Sequence, residues 1–166
     1  MIFRRVAERE GVADPWWGGS TDASASAAVD QTSATIAELG VEVVRGRLNT
    51  AEARKAGAFH LDTFNAATDG VICLPSETLD HDERYACAGD ILVARIGRNI
   101  SDKVAFVEAG SNAISDCIFR LRCPPPIADR VWRGLRSDVG RRQMESSLSG
   151  VTTRLLPMRN LLAVQV

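Results

Sequence analysis

Four side chains that can contact nucleic acid lie within one short segment, GRNISDK at residues 97–103. They are Arg98, Asn99, Ser101 and Lys103. A guanidinium can bind guanine through two parallel hydrogen bonds, and an asparagine amide pairs in the same way with adenine. The segment lies between two apolar runs, so it is expected to join two strands. It therefore predicts a turn that reaches into a DNA groove, and a turn that is simply solvated is the alternative.

Two further groups of residues have the chemistry to hold phosphates. Arg-Gly-Arg at 45–47 ends a predicted strand, and Thr-Thr-Arg at 152–154 follows a glycine. Cationic and hydroxyl side chains at turns bind the DNA backbone and set the register of a protein on the duplex. An ordinary surface turn is the alternative for both groups. The complete set of candidate DNA contacts is Arg45, Arg47, Arg95, Arg98, Asn99, Ser101, Lys103, Thr152, Thr153 and Arg154.

No motif for catalysis can be read from the sequence. A DNA methyltransferase needs a glycine-rich cofactor loop and an Asn/Asp-Pro-Pro-aromatic motif, whereas the proline run at 124–126 lies between a cysteine and an isoleucine. There is no P-loop, and Asp-Lys at 102–103 lacks the further carboxylates of a metal-dependent nuclease. We therefore predict no catalytic residue and no cofactor. A hydrolase that uses Ser76, Asp80 and His81 of a polar loop is the enzyme alternative.

The cysteines do not have the spacing of a metal site. They lie 14, 30 and 6 residues apart, so none belongs to a C-x-x-C pair. We predict free thiols, mostly buried, and no bound metal. The four residues are Cys73, Cys87, Cys117 and Cys123.

Charge is distributed unevenly along the chain. The 166 residues have a net charge of −1, but residues 1–83 contribute −7 and residues 84–166 contribute +6. Only Lys55 and Lys103 are lysine among the 20 basic residues, and the others are arginine. Such asymmetry is a mild indication of a polyanionic partner, and arginine suits planar contacts to phosphate or guanine.

Length and hydropathy indicate one globular domain. Apolar residues make up 45% of the chain, yet no run approaches the roughly 18 apolar residues of a membrane-spanning helix. The N-terminal sequence lacks the apolar centre of a signal peptide, so we expect a cytoplasmic protein. Small and polar residues at 20–35 predict a linker. We therefore divide the chain into an N-terminal arm at 1–36 and a domain at 37–166.

Hydrophobic periodicity predicts several strands and short helices. A Thr50-capped helix is expected to stop at Gly57, and Ser137 is expected to cap a later one. Turn or loop composition marks 76–88, 97–103 and 110–112. Strands are predicted at 41–45, 71–74, 91–96, 104–107, 117–122 and 161–166, with the pair 91–96 and 104–107 antiparallel; helices are predicted at 50–56, 127–136 and 137–148.

The order of these segments resembles a known family. The block GDILVARIGRNISDKVAFV at 89–107 is similar to the "GD-I-L…R-x-G…K-x-A-x-V" block in the target recognition domains of type I restriction-modification specificity subunits. SDCIFRLR at 115–122 resembles the strand that follows it. WRGLRSDVGRRQMESSLSGVTT at 132–153 is similar to the paired helices before the family's Gly-x-Thr loop, and LLPMRNLLAVQV at 155–166 resembles the closing strand. Together with VEVVRGR at 41–47, the likeness covers 41–166.

The resemblance implies a target-recognition-type α/β domain with a mixed or antiparallel twisted sheet. Such a domain lies on double-stranded DNA, reads half of a split target and acts through a partner DNA methyltransferase subunit. Positions shared across members with different targets, such as Gly89, Asp90 and Gly97, are expected to build the framework. Specificity is then expected at 59–88 and 98–103.

Several forms of the protein fit this resemblance. The family's specificity subunits carry two recognition domains separated by long helices, whereas this chain has one domain and no heptad segment. It could be an excised module, a half-subunit that forms a homodimer, or the C-terminal recognition domain of an adenine-N6 DNA methyltransferase. A domain that binds another protein instead of DNA is the alternative of a different class.

Overall fold

The centre of the fold is a short apolar strand, Ile91–Ala94 (β4), whose four residues are all buried. A strand covered on both faces needs a partner on each edge for its backbone groups. β4 pairs antiparallel with Val104–Ala113 (β5) on one edge and with Ile118–Arg122 (β6) on the other. The predicted antiparallel pair is therefore confirmed. The computed structural model describes residues 33–66, 69–76 and 84–166.

Three more strands join this sheet in the described part of the chain. They are Glu42–Arg45 (β1), Val71–Ser76 (β2) and Tyr85–Cys87 (β3). The strand order is β1-β6-β4-β5-β2, and β3 pairs with the second half of β5. β2 runs parallel to β5, whereas the other pairs are antiparallel. The sheet is thus mixed, and the predicted α/β class with short helices is confirmed.

β5 is longer than its apolar run, because it continues through Gly110, Ser111 and Asn112. The turn predicted there is wrong. Gly110 has a φ of 82°, and a Cβ atom at this position would overlap the carbonyl oxygen of Leu74 in β2. The register between β2 and β5 shifts at the same place. Glycine therefore marks an irregularity inside a strand, which has the same local signature as a turn.

The loop predicted at 76–88 is shortened from both ends. β2 does not stop before Pro75 but continues to Ser76, since it is the last strand in the sheet order and an edge strand tolerates a missing N–H. At the other end, β3 pairs with residues 111–113 of β5. Residues 77–83 lie outside the described residues, and so do the Asp80 and His81 of the hydrolase alternative.

Short helices and 3-10 turns connect the strands. The predicted cap at Thr50 is off by one residue, because the Asn49 side chain accepts hydrogen bonds from the backbone of Ala51 and Glu52. The predicted cap Ser137 is confirmed, since its hydroxyl accepts from the Gly140 amide. The helices are Thr50–Lys55 (α1), Pro125–Arg136 (α2), Asp138–Ser146 (α3) and Met158–Leu162 (α4), and the 3-10 turns are Leu61–Ala66 and Ile100–Asp102.

The strand predicted at 161–166 is wrong in its first half. Residues up to Leu162 belong to α4, which begins after Pro157, a residue that favours helix starts. Ala163 ends the helix in a turn, with φ −85° and ψ −5°, and Val166 exchanges two backbone hydrogen bonds with Ala34. Ile36 and Val164 are buried beside this ladder. The domain boundary near residue 36 stays a prediction, since residues 1–32 are outside the described chain.

Two arginines of β6 are used inside the fold. Arg120 is 1% exposed and donates to a carboxylate oxygen of Glu42 at 3.0 Å and to the carbonyl oxygen of Tyr85 at 3.1 Å. Arg122 donates twice to buried Asp90, with both distances 2.7 Å. These partners satisfy charges that would otherwise be costly in a protein interior. The arginines in the strand thus hold neighbouring strands and loops together.

The described residues contain no helix long and apolar enough to cross a membrane. They also contain no cluster of three or more His, Cys, Asp or Glu side chains suited to a metal ion. The cysteines are free thiols, but only Cys117 is buried: Cys73 is exposed, and Cys87 and Cys123 are half-buried. The expectation of mostly buried thiols is therefore wrong for this chain.

Candidate nucleic-acid interface

Two loops far apart in sequence form one groove of about 540 Å³. One loop is 97–101, between β4 and β5, and the other is 151–154, between α3 and α4. Their backbones are joined directly, because the Gly97 amide donates to the carbonyl oxygen of Arg154 at 3.1 Å. The structure therefore brings together two of the segments that the sequence identifies as candidate DNA contacts. Glu145 and Leu148 complete the lining of this groove.

The conformation of the first loop exposes its two most informative side chains. Ile100 is fully buried and anchors the 3-10 turn in the core, while Arg98 and Asn99 before it are exposed. Asn99 has a left-handed backbone, with φ 52° and ψ 47°, which asparagine tolerates better than most residues. Within the described residues, the Asn99 side chain makes no capping hydrogen bond. Its amide is therefore available to a ligand.

Helix α3 braces the first loop from one side. The Ser101 hydroxyl, at a residue that is 1% exposed, donates to a Glu145 carboxylate oxygen at 2.8 Å. One turn earlier on α3, Arg141 lies 3.4 Å from the carboxylate of Asp102. We therefore propose that Ser101 supports the loop and makes no DNA contact. Sequence reasoning missed Glu145, because nothing local connects residues 44 positions apart.

The second loop is a closed turn that projects from the fold. Ser149 and Leu155 exchange two backbone hydrogen bonds, of 2.9 and 2.8 Å, at its base. Residues 151–154 are exposed, and Val151 is 102% exposed. This is an unusual position for an apolar side chain, and the sequence analysis did not single it out. We call residues 149–155 the finger.

A second cationic cluster surrounds Asp116. One guanidinium nitrogen of Arg45 lies 4.0 Å from its carboxylate, and one of Arg95 lies 3.5 Å from its carbonyl oxygen. Cys117 is adjacent, and burial raises the pKa of its thiol, so it adds no negative charge near neutral pH. Arg47 is exposed two residues after Arg45. These three arginines do not line the groove, although Arg95 is linked to it because its carbonyl oxygen accepts from the Leu156 amide.

Lys103 is separated from the groove and lies near acidic Asp62. It is half-buried and contributes to the field at that carboxylate, whose pKa is lowered mainly by a hydrogen bond from Arg54. The Arg54–Asp62 distance is 2.6 Å. Of the four candidates in segment 97–103, Arg98 and Asn99 are exposed in the groove, Ser101 binds Glu145, and Lys103 is outside the groove lining.

The groove brings together side chains whose hydrogen-bonding capacity the fold leaves unused. Within the described chain, no hydrogen bond or ion pair engages the side chains of Arg98, Asn99 or Arg154. Most other arginines have partners, for example Arg133 with Asp129 at 2.8 Å. Arginines with partners inside the fold include Arg54, Arg120, Arg122, Arg130, Arg133, Arg136, Arg141 and Arg142.

The sheet order and the two-loop groove define a mixed α/β domain with a polar groove beside a strand end. No family model matches the sequence, and no curated protein matches it. Among solved structures, the fold is similar to the type I restriction-modification system S subunit from M. genitalium, with a TM-score of 0.51 and 12% identity. The match covers 81% of this chain and 33% of that chain, so this chain spans about a third of the length of its neighbour. At this identity the likeness concerns the fold.

Proposed function

We propose that the chain is a sequence-specific recognition module for double-stranded DNA, as in a type I restriction-modification system. The observation that carries this proposal is the groove, in which Arg98, Asn99 and Arg154 converge with donors that the fold leaves unused. The fold likeness to a restriction-modification S subunit supports it independently. The module has no catalysis of its own and directs a partner methyltransferase subunit to a target in cytoplasmic DNA.

The groove supplies two kinds of contact that DNA recognition requires. Arg98 and Asn99 have planar donor groups of the type that reads guanine and adenine edges in the major groove. Across the groove, the hydroxyls of Thr152 and Thr153 and the guanidinium of Arg154 suit phosphate oxygens. We assign base reading to the first loop and backbone binding to Thr152, Thr153 and Arg154 of the finger. Arg45, Arg47 and Arg95 are proposed as more distant phosphate contacts.

The module is proposed to read one half-site. A second module, supplied by a homodimer or by further domains of a longer protein, would read the other half. A recognition domain of an adenine-N6 methyltransferase has the same binding chemistry but belongs to the same polypeptide as the methyltransferase. Copurification of a methyltransferase with the chain would identify the separate-subunit form.

A second candidate function is supported by a different surface. A pocket of about 430 Å³ is lined largely by apolar groups, including Phe106 and Trp132, whose ring centroids lie 5.9 Å apart. Such a pocket suits a protein side chain, as expected for a protein-interaction domain. The two functions are distinguished by substitution: Trp132→Ala should impair binding to a partner protein, whereas it should leave DNA binding unchanged.

Selection on randomised DNA tests the proposed function. The purified chain should enrich one sequence motif from a pool of duplexes at moderate salt, and its affinity should fall steeply as salt rises because bound phosphates release counterions. Arg98→Ala should relax the selected motif, at about 1–3 kcal/mol per lost base contact. Arg154→Ala should weaken all duplexes alike.

Arg133→Ala is the matched control, since Arg133 is an exposed arginine on α2 and does not line the groove. It should leave both affinity and motif unchanged. A pool that shows no enrichment, or equal losses for Arg98→Ala, Arg154→Ala and Arg133→Ala, would reject the proposed recognition site.

A further inference from the structure

The finger exposes an apolar side chain to solvent, at a position where a polar side chain would be expected. Val151 is 102% exposed, and the other large apolar residues exposed in the described chain, Val139 and Met158, do not line the groove. An isolated exposed apolar residue has no special meaning by itself. Val151, however, lines the same groove as Arg98 and Asn99, whose donors are unused.

The backbone of the finger is built to present this residue. Ser149 and Leu155 close the base with two hydrogen bonds, and Gly97 holds Arg154 from the opposite loop. Gly150 has a φ of 95°, and a Cβ atom there would contact the carbonyl oxygen of Thr153, so the tight turn requires glycine. Val151 follows this glycine immediately. Its exposure is thus a consequence of a turn fixed at its base.

We propose that Val151 contacts the 5-methyl group of a thymine in the major groove, and so determines specificity in the proposed DNA recognition. The inference rests on that proposed function. In the major groove only thymine presents a methyl group, and apolar side chains recognise it by contact. The DNA major groove is about 12 Å wide and admits a two-stranded ribbon. The finger is closed at its base by two backbone hydrogen bonds, as such a ribbon is.

The chemistry of valine favours this contact over intercalation. Side chains that wedge between base pairs are usually longer or rigid, such as Phe, Leu, Ile, Met or Pro. Valine is short and β-branched, so it offers two methyl groups at a fixed distance from the backbone. Thr152 and Arg154 beside it supply the polar contacts that would hold the finger at the phosphates.

Deoxyuridine substitution tests the contact directly, because deoxyuridine differs from thymidine only by the missing methyl group. After selection, each thymine of the enriched duplex is replaced in turn, and each duplex is titrated with the wild type and with Val151→Ala. At one position we expect the wild type to lose about three- to fivefold in affinity, as for one buried methyl group. Val151→Ala should bind the thymidine and deoxyuridine duplexes with equal affinity.

Val139→Ala is the matched control, since Val139 is 60% exposed on α3 and outside the groove lining. It should keep the wild-type sensitivity to deoxyuridine. The assignment is overturned if no thymine shows this dependence on Val151, if the selected duplex has no thymine, or if Val151→Ala weakens every duplex alike. If no sequence is enriched at all, the DNA-recognition proposal itself fails.

Discussion

Asn99 combines two properties, a left-handed backbone conformation and a side chain suited to base recognition. Its φ of 52° lies in the left-handed region, where most L-residues are strained, and its side chain is exposed in the groove. Asparagine tolerates this conformation and also offers the donor and acceptor pair that adenine requires. Substitutions can separate the two requirements, because glycine accepts the same backbone without any side chain.

We expect Asn99→Gly to keep the stability of the wild type and to lose discrimination at one base pair, by about 1–3 kcal/mol. Asn99→Ala should lose the same discrimination and in addition about 1 kcal/mol of stability, since alanine is strained at positive φ. Thermal denaturation and titration with matched and mismatched duplexes measure the two effects. Unchanged discrimination in Asn99→Gly would show that Asn99 is present only for its backbone.

At the scale of elements, the arginines of β6 are explained by the sheet. Arg120 and Arg122 lie on the same strand face by the period of two, yet one binds Glu42 in β1 and the other binds Asp90 before β4. Asp90 is 2% exposed and also accepts from the Cys87 amide at 2.7 Å. The hydrogen bond to Asp90 raises the pKa of Arg122, so the guanidinium stays charged.

We expect Arg122→Ala to lower the free energy of unfolding by about 2 kcal/mol, because it removes two charge-assisted hydrogen bonds from a buried carboxylate. We expect a smaller loss of unfolding free energy than for a fully buried ion pair, because the Arg122 side chain is 44% exposed and water can replace part of the contact. Urea denaturation measures it. Arg133→Ala removes an exposed i,i+4 pair and should cost at most about 0.5 kcal/mol. Equal losses would contradict a structural role for the Asp90 pair.

The sequence predicts those elements whose signals are local. The run ILVA of β4, the cap Ser137 and the apolar side of α2 each follow from a few neighbouring residues, and all three are found. At Gly110 the sequence predicts a turn where the strand has an irregularity, because both need the same backbone freedom. The pairing of β4 with β6 and the burial of Arg120 depend on residues far apart in sequence. No local pattern could predict them.

The candidate groove also has features that local sequence predicts and features that it does not. Arg98, Asn99, Thr152, Thr153 and Arg154 were identified by residue type within two separate segments. Their meeting is a tertiary result, fixed by the hydrogen bond from Gly97 to Arg154 and by the partners of the first loop on α3. Ser101 and Lys103 have suitable side chains, but Ser101 donates to Glu145 and Lys103 does not line the groove.

For the molecule as a whole, net charge says little about DNA binding. The chain carries −1, and residues 84–166 carry +6. Arg120, Arg122, Arg133 and Arg141 are each paired with a carboxylate, so the field that a duplex meets depends on where the other charges lie. Glu145 carries a negative charge and lines the same groove as the positively charged Arg98 and Arg154. Its carboxylate would repel phosphates while it holds Ser101.

Glu145→Gln separates these two effects, since the amide oxygen can still accept from Ser101. We expect it to tighten binding to all duplexes by roughly two- to fivefold at about 50 mM salt, because one repulsive charge near the phosphates is removed. The gain should shrink at about 200 mM salt, where charges are screened more strongly. Glu108→Gln is the control, because Glu108 is an exposed carboxylate of β5 outside the groove. If both variants gain equally, then overall charge and not the groove governs the encounter with DNA.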